Sequence, residues 1–593
     1  MSYSNKRTID MQSTYDKFPY IEISKSSALC FTGWKLIFSE ISRFVRLKSK
    51  TRTVVCIDLY HGVDVADMLD AIRNHLRPDA LFETRSCLKS EADIQEMIHP
   101  FVTDDQIFGK INNLELSDYL DTAALDRIKQ QISAIESGIV VVFGEGAAVF
   151  APADVLIYTD LARWEIQKRM RRNEVGNFGV DNLNAGFALK YKQGYFLDWR
   201  MLDRHKLAHF DRIDYFIDAN KADEPKMLHA ETYRQGLELA VSRPFRVVPF
   251  FDPGPWGGQW LKEVVDLDRD AMNYAWGFDC VPEENSLLFK VGDHLFELPS
   301  MNLVLTRPEQ LLGKAIVREF GAEFPIRFDF LDTMEGGNLS LQVHPTRAYI
   351  QEHFGMSYTQ DESYYFLEAK GDACVYLGTR KGVDAAAMID DLKKAQSEMS
   401  DFDAEKYVNK LPVKKHDHIL IPAGTIHCSG KNAVVLEISA TPYIFTFKLW
   451  DWGRLGLDGK PRPINIEHGS KVIDYTRDED WVKKHLVNHV TTISAGEHVT
   501  EESTGLHTTQ FIETRRHWFD TEVLHVTNGN LHVVNLVAGD EVLVESPDRL
   551  FEPYTIHYAE TFIVPANVTA YTITPAGKSA GKQCATLKAY VRT

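Results

Sequence analysis

Ser340-Leu341-Gln342-Val343-His344-Pro345 is the stretch on which the fold of this 593-residue chain turns. An extended strand sends successive side chains to opposite faces, so Gln342 and His344, two apart, point into the same interior. Further on, Glu362 opens the aromatic-rich strand candidate Glu362-Ser363-Tyr364-Tyr365-Phe366-Leu367. The apolar run Ile419-Leu420-Ile421 then leads through the turn Pro422-Ala423-Gly424 to Thr425-Ile426-His427. Three strands thus offer an amide, two imidazoles and a carboxylate. That donor set suits a divalent ion such as zinc, with coordination left for solvent or substrate.

Beyond residue 246 the sequence has the texture of short strands and turns, with one helical insertion around residues 385–400. The segment Ile421-Pro422-Ala423-Gly424-Thr425-Ile426-His427 has an echo in Val564-Pro565-Ala566-Asn567-Val568-Thr569-Ala570. Both follow β-rich runs, which predicts two related barrels. Ala570 stands where His427 stands in the first, so the second barrel is expected to lack metal ligands and to serve packing.

Together with Pro255-Trp256-Gly257-Gly258, Phe324-Pro325 leading to Leu331-Asp332, Asp361-Glu362 and Lys448-Leu449-Trp450-Asp451-Trp452-Gly453-Arg454, with Gly459-Lys460-Pro461-Arg462 after it, these motifs resemble the class I mannose-6-phosphate isomerases, which are zinc-dependent cupin enzymes. The resemblance spans residues 247–593. It implies one zinc ion per chain held by Gln342, His344, Glu362 and His427, and the interconversion of mannose 6-phosphate and fructose 6-phosphate. It also implies an acid–base role for Glu437, a catalytic role for Lys448, and substrate binding by Ser340 and Arg454. A buried Glu437 held by an arginine for structural reasons is the rival reading. Three positions depart from the family pattern: Lys448 stands for an arginine, and Gln360 and Asp329 stand where lysines are common. Arg327, Arg347, Arg454, Lys460 and Arg462 are the cations that could substitute. His416 and His418 are expected on the surface or behind the ligands rather than among them.

Residues 1–245 read differently. Apolar runs at 53–59 and 138–144 alternate with helical periodicity at 64–75 and 160–172, the pattern of an α/β unit with a largely parallel sheet. Val54 to Leu59 followed by Tyr60-His61-Gly62-Val63-Asp64 has the strand-turn-helix layout of a phosphate-binding loop, and the unit faintly resembles uridine-kinase-like nucleotide phosphotransferases. A working loop needs several glycines, a lysine and a Ser or Thr for magnesium; one glycine and no lysine stand here. Phe143-Gly144-Glu145-Gly146-Ala147 reads as a tight turn, or as a phosphate loop with a carboxylate in the phosphate's place. The basic run 160–172 reads as a solvated helix face with a Glu165–Arg169 ion pair, or as arginines set to meet a sugar phosphate. A degenerate, non-catalytic kinase-like domain follows. The expected division is 1–245, 246–480 for the metal-binding barrel with its helical insertion, and 481–593 for the second barrel, with the junction near Phe245 to Pro255.

Composition narrows the partners. A formal charge of −18 disfavours nucleic acid and anionic membranes, leaving a small-molecule hexose phosphate as the expected ligand. No apolar run is long enough to span a bilayer, and the polar residues 1–7 do not form a secretory signal. Seven scattered cysteines suit a reducing compartment, so the expected location is cytoplasmic. The competing class is a metal-binding sugar or sugar-phosphate sensor without isomerase activity, or an isomerase of another sugar.

Overall fold

The computed structural model describes residues 13–24, 29–440, 443–456, 459, 462, 464–505, 507 and 509–592. Residues 1–7, Lys460 and Pro461, all used above, lie outside them.

The N-terminal unit is built on a seven-stranded sheet. Five strands run parallel, in the spatial order Ala80–Glu83, Gly138–Gly144, Arg52–Leu59, Val155–Asp160 and Tyr215–Asp218. Lys226–His229 and Cys30–Thr32 continue it antiparallel. Val54, Val55, Cys56 and Ile57 are fully buried, because helices cover both faces and leave no polar side to alternate with. The helix Trp34–Leu47 turns Ile37, Phe38, Ile41 and Val45 inward at the three- and four-residue spacing of one face. Asp64 caps Val65–Ala71 by accepting from the Asp67 N–H.

The second unit consists of two antiparallel sheets. One orders His418–Ile421, Asp361–Ala369, Ala433–Ala440, Arg327–Asp332, Trp276–Cys280 and Phe250–Asp252; the other orders Val408–Pro412, Cys374–Thr379, His427–Ser429, Leu341–Val343 and Phe447–Trp450. The turn after Ile421 therefore carries the chain from the edge of one sheet into the middle of the other. The C-terminal unit repeats the move: Thr561–Val564 closes a six-stranded sheet and Ala570–Pro575 enters a four-stranded one.

Three features were not anticipated. Ile21–Glu22 pairs with Ser286–Val291, which forms a hairpin with His294–Pro299, so the N-terminal arm lies in a separate three-stranded sheet. Besides the insertion helix Ala385–Glu398, the second unit carries Met301–Thr306, Pro308–Leu312 and Lys314–Phe320. None is longer than seven residues, too short for a helical period to emerge from sequence. The junction is not a linker: Phe250–Asp252 pairs with Trp276–Cys280 as a barrel edge strand. Beside it, buried Arg246 bonds Asp279 at 3.3 Å and Glu560 at 2.8 Å, joining the two barrels. Among the described residues no helix is long and apolar enough to cross a membrane.

Candidate metal centre and its pocket

His344, Glu362 and His427 converge: their ligand atoms lie within 4.8 Å of one another, and all three residues are buried. Gln342 pairs directly with His427 across neighbouring strands, and its amide nitrogen is 3.2 Å from His427 Nε2. His344 Nδ1–H donates to the Phe445 carbonyl at 2.9 Å, and His427 Nδ1–H to the Thr425 carbonyl at 2.9 Å. Each ring is thereby fixed in the tautomer that leaves a lone pair on Nε2. Those two Nε2 atoms face the Glu362 oxygens at 2.9 and 2.8 Å. Lone pairs directed at a carboxylate repel unless a cation stands between them, and His344 Nε2 and Glu362 Oε1 are buried without a hydrogen-bond partner. The donor set fits a divalent ion.

Burial pushes the Glu362 carboxyl up, but the positive charge of the two rings in their protonated form outweighs it and holds Glu362 well below the usual carboxylate range; an ion on the two Nε2 atoms would stand in place of those protons. Gln360 donates to Glu362 Oε2 at 3.0 Å and accepts from the Phe445 N–H at 2.9 Å. It orients the Glu362 carboxylate through a neutral hydrogen bond.

Beside the centre, on the far side of Gln342 and Gln360, lies a cavity of about 280 Å³ that His344, Glu362 and His427 do not themselves border. Gln342, Glu437, Asp329 and Lys448 border it. Asp329 and Glu437 face one another on paired strands. Burial pushes Asp329 up to about 7 even with Arg327 beside it. Burial, then Asp329 and Glu362, drive Glu437 well above the carboxylate range. At the other end, burial followed by the charge of Arg462 brings Lys448 down to about 8. Asp329 and Glu437 thus lie together with Arg327, which also borders the cavity, and Lys448 lies with Arg462.

The remaining anticipated residues divide. Ser340 borders the cavity, with its hydroxyl donated to Asp451 at 2.8 Å. Arg462 borders it too and bonds Asp451 at 2.8 Å. Arg454 does not: it bonds Asp451 at 2.6 Å and the Asn338 carbonyl, holding that loop from outside. Arg347 likewise stays away, donating to the Ser357 carbonyl. His418 is fully buried and outside the ligand cluster; His416 accepts or donates at the Tyr365 hydroxyl, 2.9 Å away.

In the N-terminal unit, Asp58 at the end of its strand accepts from the N–H groups of Gly146 and Ala148 at 2.8 and 3.0 Å. A side-chain carboxylate thus occupies donors that a phosphate would need. A Cβ on Gly62 would meet Leu161 and Ile166 at 3.1 and 3.2 Å, and on its other side the turn borders a cleft of about 700 Å³. The basic run forms the helix Arg163–Arg171, but it is not a solvated face. Arg169 keeps its ion pair with Glu165 at 3.2 Å while donating to the carbonyls of Gly62 and Ala219 from a buried position. The same helix contributes Trp164, Gln167 and Arg171 to the cavity wall. Sequence reasoning missed Trp164 and Gln167, seven and four residues before Arg171 in a largely charged helix, whereas Arg171 belongs to the arginines that one reading of the run set to meet a sugar phosphate.

A family described as a domain of unknown function (DUF8485) matches residues 33–242. The mannose-6-phosphate isomerase of Streptococcus mutans is 25% identical over 220 residues, 37% of this chain and 64% of that protein. Mannose-6-phosphate isomerase ManA of Bacillus subtilis is 26% identical over 250 residues, 42% of this chain and 73% of that protein. The chain therefore spans just under two thirds of the Streptococcus relative's length. Among solved structures, a mannose 6-phosphate isomerase from Bacillus subtilis aligns at 16% identity, covering 59% of this chain and 100% of its own, with a TM-score of 0.47. A mutant phosphomannose isomerase from Salmonella typhimurium aligns at 12% identity over 59% of this chain and 100% of its own, TM-score 0.45. Over about 40% of its length, this chain is similar to proteins named mannose-6-phosphate isomerase.

Proposed function

We propose that the chain is a zinc-dependent aldose–ketose isomerase interconverting mannose 6-phosphate and fructose 6-phosphate, with Gln342, His344, Glu362 and His427 holding the ion. One observation carries the reading: two imidazole lone pairs and a carboxylate meet at a point beside a cavity edged by acids and a lysine. Zinc, when bound, supplies electrophilic polarisation of sugar oxygens. Isomerisation removes a proton from the carbon beside the carbonyl and returns one to the former carbonyl carbon. A Glu437 carboxyl oxygen, bordering the cavity, is the group assigned to carry that proton. Lys448 Nζ donates to the oxygens that gain charge, and Arg462 beside it adds the second cation for the phosphate, with Ser340 at the same end.

The test is a coupled assay on mannose 6-phosphate after chelation and zinc return. Turnover should vanish and reappear, and His344→Ala and His427→Ala should stay inactive. Full activity in either variant overturns the assignment.

A second reading is favoured by Asp329 and Gln360 in place of lysines and by the prior commitment of Arg462 and Ser340 to Asp451. It is a metal-containing sugar or sugar-phosphate sensor, and calorimetry showing binding without turnover identifies it. For the N-terminal unit we propose a degenerate kinase-like domain without phosphotransfer. Asp58 seated on the Gly146 and Ala148 amides supports that reading, and phosphate transfer from ATP by the full chain overturns it.

A further inference from the structure

The cavity beside the metal centre is not enclosed by the barrel alone. Trp164, Gln167 and Arg171, three and four residues apart on the helix Arg163–Arg171, present one face to it. Phe187 and Tyr191 of the helix Phe187–Gln193 extend the same wall.

This wall is seated on the barrel. The Trp164 indole stacks on Phe250 at 3.9 Å and 20°, and Phe250 stacks on Phe278 at 4.5 Å. Arg171 reaches the barrel residue Asp252 at 2.9 Å, its guanidinium 4.8 Å from the Trp164 ring and 4.4 Å from that of Phe187. The Tyr191 hydroxyl donates to Glu284. Every one of these contacts crosses from the α/β unit to the barrel or braces a residue that does.

Within this fixed frame Gln167 stands apart. It is 3% exposed, it borders the cavity, and its amide nitrogen has no hydrogen-bond partner among the described residues. A buried amide N–H without a partner is rare in a folded protein and calls for a group to complete it. Its polar neighbours on this wall are engaged, Arg171 with Asp252 and Tyr191 with Glu284, while on the barrel side Trp256 Nε1, Arg327 Nε and Asp329 Oδ1 also lack partners among the described residues. Gln167 borders the cavity, and a polyhydroxylated ligand held there offers hydroxyl oxygens that this amide can meet.

We propose that the N-terminal unit completes the substrate pocket of the barrel, with Gln167 donating a hydrogen bond to a hydroxyl of the bound sugar phosphate and Trp164 and Arg171 fixing the wall that holds Gln167 in place. The proposal rests on the sugar-phosphate reading of the pocket for its ligand class. It gives the N-terminal unit a direct part in substrate selection, independent of any nucleotide chemistry.

The experiment uses the full-length, zinc-loaded chain and its Gln167→Met variant, which keeps the volume and removes the amide. Gln167→Ala is the second variant should the first not fold. Lys168→Ala, on the exposed side of the same helix, is the control. Isomerisation kinetics and calorimetric affinity are measured for mannose 6-phosphate, fructose 6-phosphate and mannose. Loss of about tenfold in affinity and in kcat/KM for the Gln167 variants is expected, with zinc content and Tm held and Lys168→Ala like the wild type. Wild-type turnover matched within twofold by the Gln167 variants overturns this inference and leaves the isomerase reading standing. Wild-type binding without turnover, weakened by Gln167→Met, overturns the isomerase reading and upholds the inference. Binding of none of the three ligands overturns both.

Discussion

In the first barrel the residue paired with the last strand position before the sheet-crossing turn is Glu362, opposite Ile421; in the second it is His532, opposite Val564. After the turn, the first barrel places His427 and the second Ala570. The second barrel is not poor in imidazoles. His517 and His525 lie 4.6 Å apart, His525 stacks near Tyr571 at 4.9 Å, and His532 Nδ1 is 3.0 Å from the Tyr571 hydroxyl. A lysine is buried with them: Lys588 Nζ is 3.4 Å from His525 Nδ1. Burial and then Lys588 push His517 down to about 3, and His525 and His532 well below their ordinary value. Among the described residues these histidines do not gather into a ligand cluster. The contrast teaches that buried imidazoles alone do not make a metal centre. A carboxylate set against two Nε2 atoms offers a cation a place, and a cation already among the imidazoles opposes one.

The largest effect expected from this contrast is on zinc. Outer groups that orient ligands cost 10- to 100-fold in affinity when removed, so losing the central ligand in Glu362→Gln should cost about 100-fold or more. His532→Ala, its positional counterpart, should leave the zinc content of purified protein unchanged. Elemental analysis checks both. Two ions per wild-type chain, or one retained in Glu362→Gln, would break the comparison.

Next comes Lys588, which burial brings from 10.5 to about 8. Its charged form is therefore disfavoured in the fold relative to the unfolded chain. The cost is complete below pH 8 and disappears as pH rises through 10.5. Lys588→Met should stabilise the C-terminal barrel at pH 7 by about 1–3 kcal/mol, read from urea unfolding. The wild type should then gain on the variant between pH 8 and 10.5. A destabilised variant at pH 7 would mean that the lysine holds the imidazole cluster together instead of opposing it.

These contrasts also mark what the sequence could and could not disclose. Period-two alternation put Gln342 and His344 on one face, and the turn after Ile421 delivered His427 to the same interior, because both signals are local. The echo at Val564 was legible for the same reason. The strands Arg52–Leu59 and Gly138–Gly144 showed as apolar runs. Distances across the fold were not legible. Arg454 and Arg462 both bond Asp451, yet only Arg462 borders the cavity, and no spacing rule separates them. The helix Arg163–Arg171 reads as polar and solvated because its buried partners are carbonyls at Gly62, Ala219 and Asn220. Backbone acceptors leave no trace in composition.

The smallest expected effect sharpens the same point from within the first barrel. His418 pairs with Tyr365 on the same sheet as Glu362 and is fully buried, with the Thr504 backbone beside its ring. Burial, then the charge of Arg516, brings it down to about 3. The folded chain therefore keeps this ring neutral while the unfolded chain protonates it near its ordinary value of 6.5. Below that value the unfolded state binds more protons, so stability falls with decreasing pH across the window from 6.5 to 3. At pH 5.5 the loss amounts to about 1.4 kcal/mol. His418→Leu should remove it, so the difference between variant and wild type, followed by urea unfolding, should change by that amount between pH 7.5 and 5.5. A constant difference would mean that the ring is already protonated or hydrated in the fold. A histidine lacking an acidic neighbour would then behave no differently from His344 beside Glu362, and the carboxylate would lose its claim to be what distinguishes the metal centre.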